Sequence, residues 1–372
     1  MKQNNFEGAG QEHCPAIFDT FLRKSHPLVV LIDYVDDRFG TKAYKDQQRR
    51  RLKELRTNPC GVHYCLPWTF EDLSKTTFFQ ANTGFLSRPV SYAKKSSACA
   101  FKGYIILDAL RRLSPGDIVL YYDASPDCVI SKDVSRLTPV CLKNGGVLPV
   151  EHFTLHRHFC NHTLNAQFHQ FSRLQFVYTK AETFRALDCS PQSHGAHTQT
   201  NFTWQMYSVN RASEAFILDI LRHNLDDRIS QYGGSATGDH RGMLMNLADQ
   251  SIMDLMVLKY EFKALSPNWI KWLRHASLCG RGSFSQRQMD DVIHLLDAGY
   301  LELKNIDSRR MNLLTRAWIV SVIELGRTLG LVPRSCHHHS KLGWKSLTRL
   351  HRAFVCTAVL ASAFIGASIV RL

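Results

Sequence analysis

The chain has 372 residues, of which 44% are hydrophobic and 21% charged, with 21 Gly and 12 Pro. This composition excludes a disordered, collagenous or coiled-coil protein, and the length favours one large α/β domain with an appendage. Lys and Arg number 46 against 32 Asp and Glu, a net charge of +14 that points to an anionic partner: nucleotide, phosphosugar, nucleic acid or anionic lipid.

Residues 1–27 read as a leader without the apolar core of a secretory signal. The eleven cysteines stand singly, with no Cys-x-x-Cys pair, which argues against a zinc ribbon and for a reducing compartment. The first strand is expected at 28–33 (LVVLID), a short β-branched run between Pro27 and Asp36-Asp37. A surface helix follows over 43–55, its Arg run read as a solvated face, and then a strand over 62–67. Ser97 is placed as the cap of a helix through Leu113, with Tyr104, Leu107 and Leu110 on one stripe and Asp108 and Arg112 paired one turn apart. After the Pro115-Gly116 turn, DIVLYY (117–122) is the clearest core strand. Further strands are expected at 173–179 (RLQFVYT) and 204–209 (WQMYSV), and helices at 212–222 and 248–260.

Strands alternating with helices predict an α/β fold with a mostly parallel sheet covered by helices on both faces. A turn cluster at Ser266-Pro267-Asn268 coincides with a shift in charge. The 107 residues from 266 onward carry +9, so the domain is bounded at 28–265 and a basic helical extension occupies 266–352. Residues 353–370 hold no charge and would span about 27 Å as a helix, near the lower limit for a bilayer. A membrane helix and a buried C-terminal helix are both open on this pattern.

The strongest chemical signal is Asp123, just past the carboxyl end of the 117–122 strand, where ligands bind in open α/β sheets. A carboxylate there can hold a divalent ion that neutralises a diphosphate leaving group; the alternative is an Asp opening a turn with Ser125-Pro126. Asp249 opens a helix, where capping alone favours it, or faces an acceptor hydroxyl as base or clamp. Lys102 and Lys180 are phosphate-neutralising charges or ordinary solvated lysines, and His240-Arg241 a pyrophosphate clamp or likewise solvated side chains. Asp33, Asp36 and Asp37 either contact a nucleotide base or ribose or end the first strand in a turn. Two histidine-dense stretches, Glu151 to His169 and Cys336 to His339, have spacings that read as solvated loops rather than zinc sites.

These motifs together resemble a bacterial, often cyanobacterial, glycosyltransferase-like family of the nucleotide-diphospho-sugar transferase (GT-A-like) superfamily. Phe101-Lys102-Gly103-Tyr104-Ile105-Ile106-Leu107 is similar to the family's helix start, with Gly103 for Pro. Gly116-Asp117-Ile118 and Tyr121-Tyr122-Asp123-Ala124 are similar to its strand, with Ser125 for Gly. Thr179-Lys180 with Phe184, then His240-Arg241 and Asp249-Gln250-Ser251-Ile252, complete the pattern over residues 28–265.

The resemblance implies transfer of a sugar from a nucleoside-diphosphate donor to the hydroxyl of a glycan or lipid-linked acceptor, in surface polysaccharide or lipopolysaccharide assembly. It implies Asp123, with Ser125 and Asp127, at a Mg²⁺ or Mn²⁺ ion, and Asp249 at the acceptor. Superfamily members commonly carry Asp-x-Asp, and Ser125 stands at the second acidic position. That departure favours the alternative of a catalytically silent binding or scaffold module. Nucleic-acid binding is the third reading, suggested only by charge. The charge is densest beside an apolar run, so phospholipid is favoured and no nucleic-acid partner is expected. The expected location is the cytoplasm, attached to the inner face of a membrane by the C-terminal segment.

Overall fold

The computed structural model describes residues 27–36, 38, 42–88, 99–125, 128–151, 154–155, 174–201, 203–232, 238–240, 243, 246–268, 284–285, 288–305, 320–321 and 324. Five strands form the main sheet: β1 (Val29–Val35), β2 (Tyr64–Thr69), β3 (Ile118–Tyr122), β4 (Val147–Leu148) and, after the short β5 (Thr154–Leu155), β6 (Trp204–Ser208). Their spatial order is β2-β1-β3-β6-β4. The longer helices are α1 (Lys42–Thr57), α2 (Ala100–Arg112), α3 (Arg211–Asn224), α4 (Asp249–Lys259) and α5 (Met289–Asp297).

The α/β class stands, and the sheet is mixed rather than mostly parallel. β1 runs parallel to both β2 and β3, whereas β6 runs antiparallel to both β3 and β4. The reason lies in the path of the chain. Thr203 delivers its carbonyl to the Asp123 amide at 2.8 Å, so the chain returns at the end of the sheet from which β3 leaves. A strand starting there must run back along β3, whereas a parallel one would need a crossover to the far end.

β3 lies in the middle of the sheet with all five residues buried. Because side chains alternate along a strand, Val119 and Tyr121 enter one core with Ile32, Tyr207 and residues of α2, α3 and α4. Ile118, Leu120 and Tyr122 enter the other, with Leu31, Trp204, Met206, Leu55 of α1 and Val292 of α5. Full burial on both faces explains why the strand reads as a continuous apolar run.

The Gly116-Asp117 step that precedes β3 has a structural task. Gly116 adopts φ +91°, a conformation that costs an L side chain strain. One Asp117 oxygen then accepts the Leu28 amide at 3.0 Å and the other the Ser114 amide at 3.1 Å, which fixes the start of β1 to the turn. In α2, Tyr104, Leu107 and Leu110 are buried, and Arg112 Nε donates to Asp108 at 3.0 Å. Gly103 lets α2 press on α3, since a Cβ there would stand 3.2 Å from that of Leu221.

Three expected elements differ. Residues 173–179 were expected as a strand, but Gln175–Tyr178 form one buried helical turn, with the Gln175 and Phe176 amides bonded to the His197 and Gly195 carbonyls. A short, fully buried apolar run has the same pattern in either conformation. The second strand begins at Tyr64, because the His63 ring accepts the Val29 amide at 2.9 Å and ties the preceding residue to β1. The N-cap of α2 is Cys99, with no side-chain bond; Ser97 lies outside the described residues.

The boundary expected at 265/266 falls inside β7 (Lys263–Pro267), which pairs antiparallel with β9 (Leu301–Asn305); between them in sequence, β8 (Phe284–Ser285) pairs with β5. Asp290 of α5 accepts from the Ser131 and Lys132 amides and from the Ser131 hydroxyl, at 2.5–3.1 Å. Residues 288–305 therefore pack onto the sheet domain. Among the described residues no helix is long and apolar enough to cross a membrane, and residues 353–370 lie outside them.

Candidate functional site

The parallel strands β1 and β3 and the helix starts of α2 and α4 converge at the carboxyl end of β3. Asp123 follows that strand, with its side chain one-third exposed. Lys102 stands in the first turn of α2, and Asp249 is the first residue of α4. The Lys102 ammonium lies 3.4 Å from Asp123 Oδ1 and 3.6 Å from Asp249 Oδ2, bridging carboxylates 126 positions apart. It also lies 5.3 Å from the centre of the Tyr121 ring, and the Tyr121 hydroxyl donates to Asp123 Oδ1 at 2.8 Å. Three candidates singled out separately in the sequence thus form one site.

Its electrostatics follow from burial. Burial alone would lower the Lys102 pKa, but Asp123 and Asp249 outweigh it and hold the ammonium above its ordinary value. Burial raises the Asp249 carboxyl, Lys102 draws it down, Asp123 adds to the rise, and the net direction is up. Tyr121 is pushed well up by burial and the nearby Asp123, so it stays a phenol that donates. One turn deeper in α4, burial raises Asp254 to about 8, although it accepts from both the amide and the hydroxyl of Thr200. Asp249 enters its helix from Ala248, buried at φ +49°, a conformation costly for alanine. Such strain is found where the surroundings over-determine a position.

The floor of the site is held by a residue that the sequence placed in a solvated run. Arg49 and Arg50 are exposed, but Arg51 is 2% exposed. Its guanidinium donates to Asp33 Oδ2 at 3.2 Å, to the carbonyls of Tyr122 and Cys128 at 3.1 Å each, and to that of Asp123 at 2.7 Å, and it lies over the Tyr122 ring. Gln48 completes the set with a 2.6 Å bond to Asp33. Asp33 is therefore a buried residue within β1 that orients Arg51, and Asp36 pairs with Arg38 at 2.7 Å. The available signal was the helical spacing of Gln47, Gln48, Arg51 and Leu55, which are the buried residues of α1.

The other candidates form a second group. His240 stacks on Phe176 at 4.5 Å, lies 6.0 Å from Phe184 and donates from Nε2 to the Thr179 carbonyl at 3.1 Å. Lys180 is 2% exposed and bonds the Gln231 carbonyl at 3.3 Å, and burial lowers its pKa. This group abuts the α4 start through the Tyr178 carbonyl, which accepts from the Leu247 amide and the Ser251 hydroxyl. The Thr-Lys segment and the His240 segment thus meet although 60 residues apart. Lys180 and His240 are engaged with backbone carbonyls inside the fold, a positioning arrangement. Arg241, Asp127 and Asp37 lie outside the described residues, as do the histidine-dense stretches beyond Glu151.

No family model matches the chain, and comparison with curated proteins and with solved structures gives no significant match. A Mg²⁺ or Mn²⁺ ion was expected at Asp123 with Ser125 and Asp127. Among the described residues no group of three or more His, Cys, Asp or Glu could hold a metal ion. Asp123 and Asp249 face the Lys102 ammonium instead, and Ser125 brings no charge. The described residues do not fit a divalent ion.

Proposed function

We propose that this protein is a glycosyltransferase that moves a sugar from a nucleoside-diphosphate donor to an acceptor hydroxyl. The observation that carries the reading is the meeting of Lys102, Asp123 and Asp249 at the carboxyl end of β3. That is where open α/β sheets bind ligands. The contact of the Thr179-Lys180 and His240 segments supports it, since both belong to the pattern that resembles a GT-A-like family.

In this reading the acceptor oxygen attacks the anomeric carbon, and the bond from that carbon to the diphosphate oxygen breaks. Asp249 takes the acceptor's proton, a role suited to a carboxyl raised by burial. With both carboxylates ionised the Lys102 trio carries −1; once Asp249 is protonated it is neutral, which relieves repulsion of the departing diphosphate. Asp123, held through its carbonyl by Arg51 and through its side chain by Tyr121, keeps Lys102 in place. The acceptor is proposed to be a glycan or lipid-linked saccharide. The chain is proposed to attach to the inner face of a membrane through 353–370 and the six basic residues from Arg327 to Arg352.

The test is a thermal-shift screen of the purified full chain against UDP-, GDP-, ADP-, CDP- and dTDP-sugars, followed by a donor-hydrolysis assay on each that binds. Stabilisation by one nucleotide class together with slow release of its diphosphate supports the reading. Stabilisation without any turnover favours the silent binding module, to which the substituted Ser125 position also points.

A further inference from the structure

We propose that the Lys102 ammonium, seated between Asp123 and Asp249, is the permanent cation of this site and keeps a divalent ion out, so that nucleotide binding needs no metal. This rests on the transferase reading above.

The ammonium stands within 3.6 Å of both carboxylates. A Mg²⁺ ion shared by the same two groups would need oxygen contacts of about 2.1 Å, and it would have to share that space with the ammonium. Lys102 has little freedom to withdraw. Its side chain is 12% exposed, the Tyr121 ring lies beside it, and its amide is bonded to the Cys99 carbonyl at 3.0 Å. Its helix is fixed by ten buried residues and by the close approach of Gly103 to Leu221. Withdrawal would also leave Asp249, 8% exposed, without its cation, and an uncompensated buried charge is costly. The third position that would strengthen a metal site is Ser125, which is uncharged.

Two measurements decide the matter. The affinity of the wild-type full chain for UDP and GDP is measured by calorimetry in EDTA and in excess Mn²⁺. Binding of Mn²⁺ to wild type and to Lys102→Met is followed by electron paramagnetic resonance. The expected results are equal nucleotide affinity in EDTA and Mn²⁺, no Mn²⁺ bound by wild type, and a new Mn²⁺ site in Lys102→Met, where two carboxylates have lost their cation. Lys102→Met should also lose nucleotide affinity by about tenfold, the loss of one charge-assisted contact. Nucleotide binding by wild type that requires Mn²⁺, or Mn²⁺ binding by wild type that Asp123→Asn abolishes, overturns the metal-free site and leaves the transferase reading standing. Binding of neither nucleotide nor any other nucleoside diphosphate under either condition overturns both. If Lys102→Met does not fold, the wild-type measurements alone decide.

Discussion

Arg51 is the residue whose removal should most damage the site without touching the proposed chemistry. Arg51→Met removes the cation 3.2 Å from buried Asp33 and the donors to the Tyr122, Asp123 and Cys128 carbonyls. At an effective dielectric of about 20, that ion pair alone corresponds to roughly 5 kcal/mol of Coulomb attraction. Measured losses on breaking one partner of a buried pair are about 3–5 kcal/mol, and that is the expected effect here. Urea unfolding of the two proteins at pH 7 should show a midpoint lowered by about 1 M or more. The effect has a pH signature. Burial raises Asp33 even in wild type, with Arg51 and Gln48 opposing, and loss of Arg51 raises it further. A carboxyl raised on folding binds more protons when folded, so its stability contribution is highest in acid and falls as pH rises from the unfolded value of 3.8 through the folded one. The variant's deficit should therefore shrink towards pH 4 and grow towards pH 7. A deficit below about 1 kcal/mol at pH 7, or one independent of pH, would mean that the Arg51–Asp33 pair does not hold this floor in place.

Other consequences are as concrete. Asp254, raised to about 8, should cost the fold stability as pH climbs from about 4 to 8, at up to about 1.4 kcal/mol per pH unit. Asp254→Asn should flatten that slope in urea titrations, and an unchanged slope assigns the titration elsewhere. Gly103→Leu should force α2 from α3 and cost about 1–3 kcal/mol, read as a lowered melting temperature; a neutral result would mean the helices have room. The full chain should co-sediment with vesicles containing anionic lipid at low salt, and protein left in the supernatant would remove the membrane proposal.

Much of this arrangement was legible in the sequence, for identifiable reasons. β3 was visible because both its faces are buried, so no polar residue interrupts it. α2 and α4 were visible from their apolar spacing, and Asp123 from its place after a core strand. What could not be read was pairing across the chain. Nothing local says that Lys102 lies between Asp123 and Asp249, or that β6 returns antiparallel. Arg51 is hard to single out because two exposed arginines precede it, and only the helical phase of Gln47, Gln48 and Leu55 distinguishes it. Gln175–Tyr178 reads as a strand because burial on every side erases the period that separates helix from strand. For Lys180 and His240 the sequence leaves phosphate contact and an ordinary surface role both open; the fold engages each with a backbone carbonyl, a long-range partner that no local pattern shows.

In the proposed sugar transfer, Asp249 acts on the acceptor. The most direct measurement is turnover of the nucleotide sugar that stabilises wild type, compared with Asp249→Asn, with donor affinity measured in parallel. The expected result is a fall in kcat of about 10²–10⁴-fold, the range for loss of a general base, with donor affinity not reduced. Full turnover by Asp249→Asn, or no turnover of any nucleotide sugar by wild type, would contradict it.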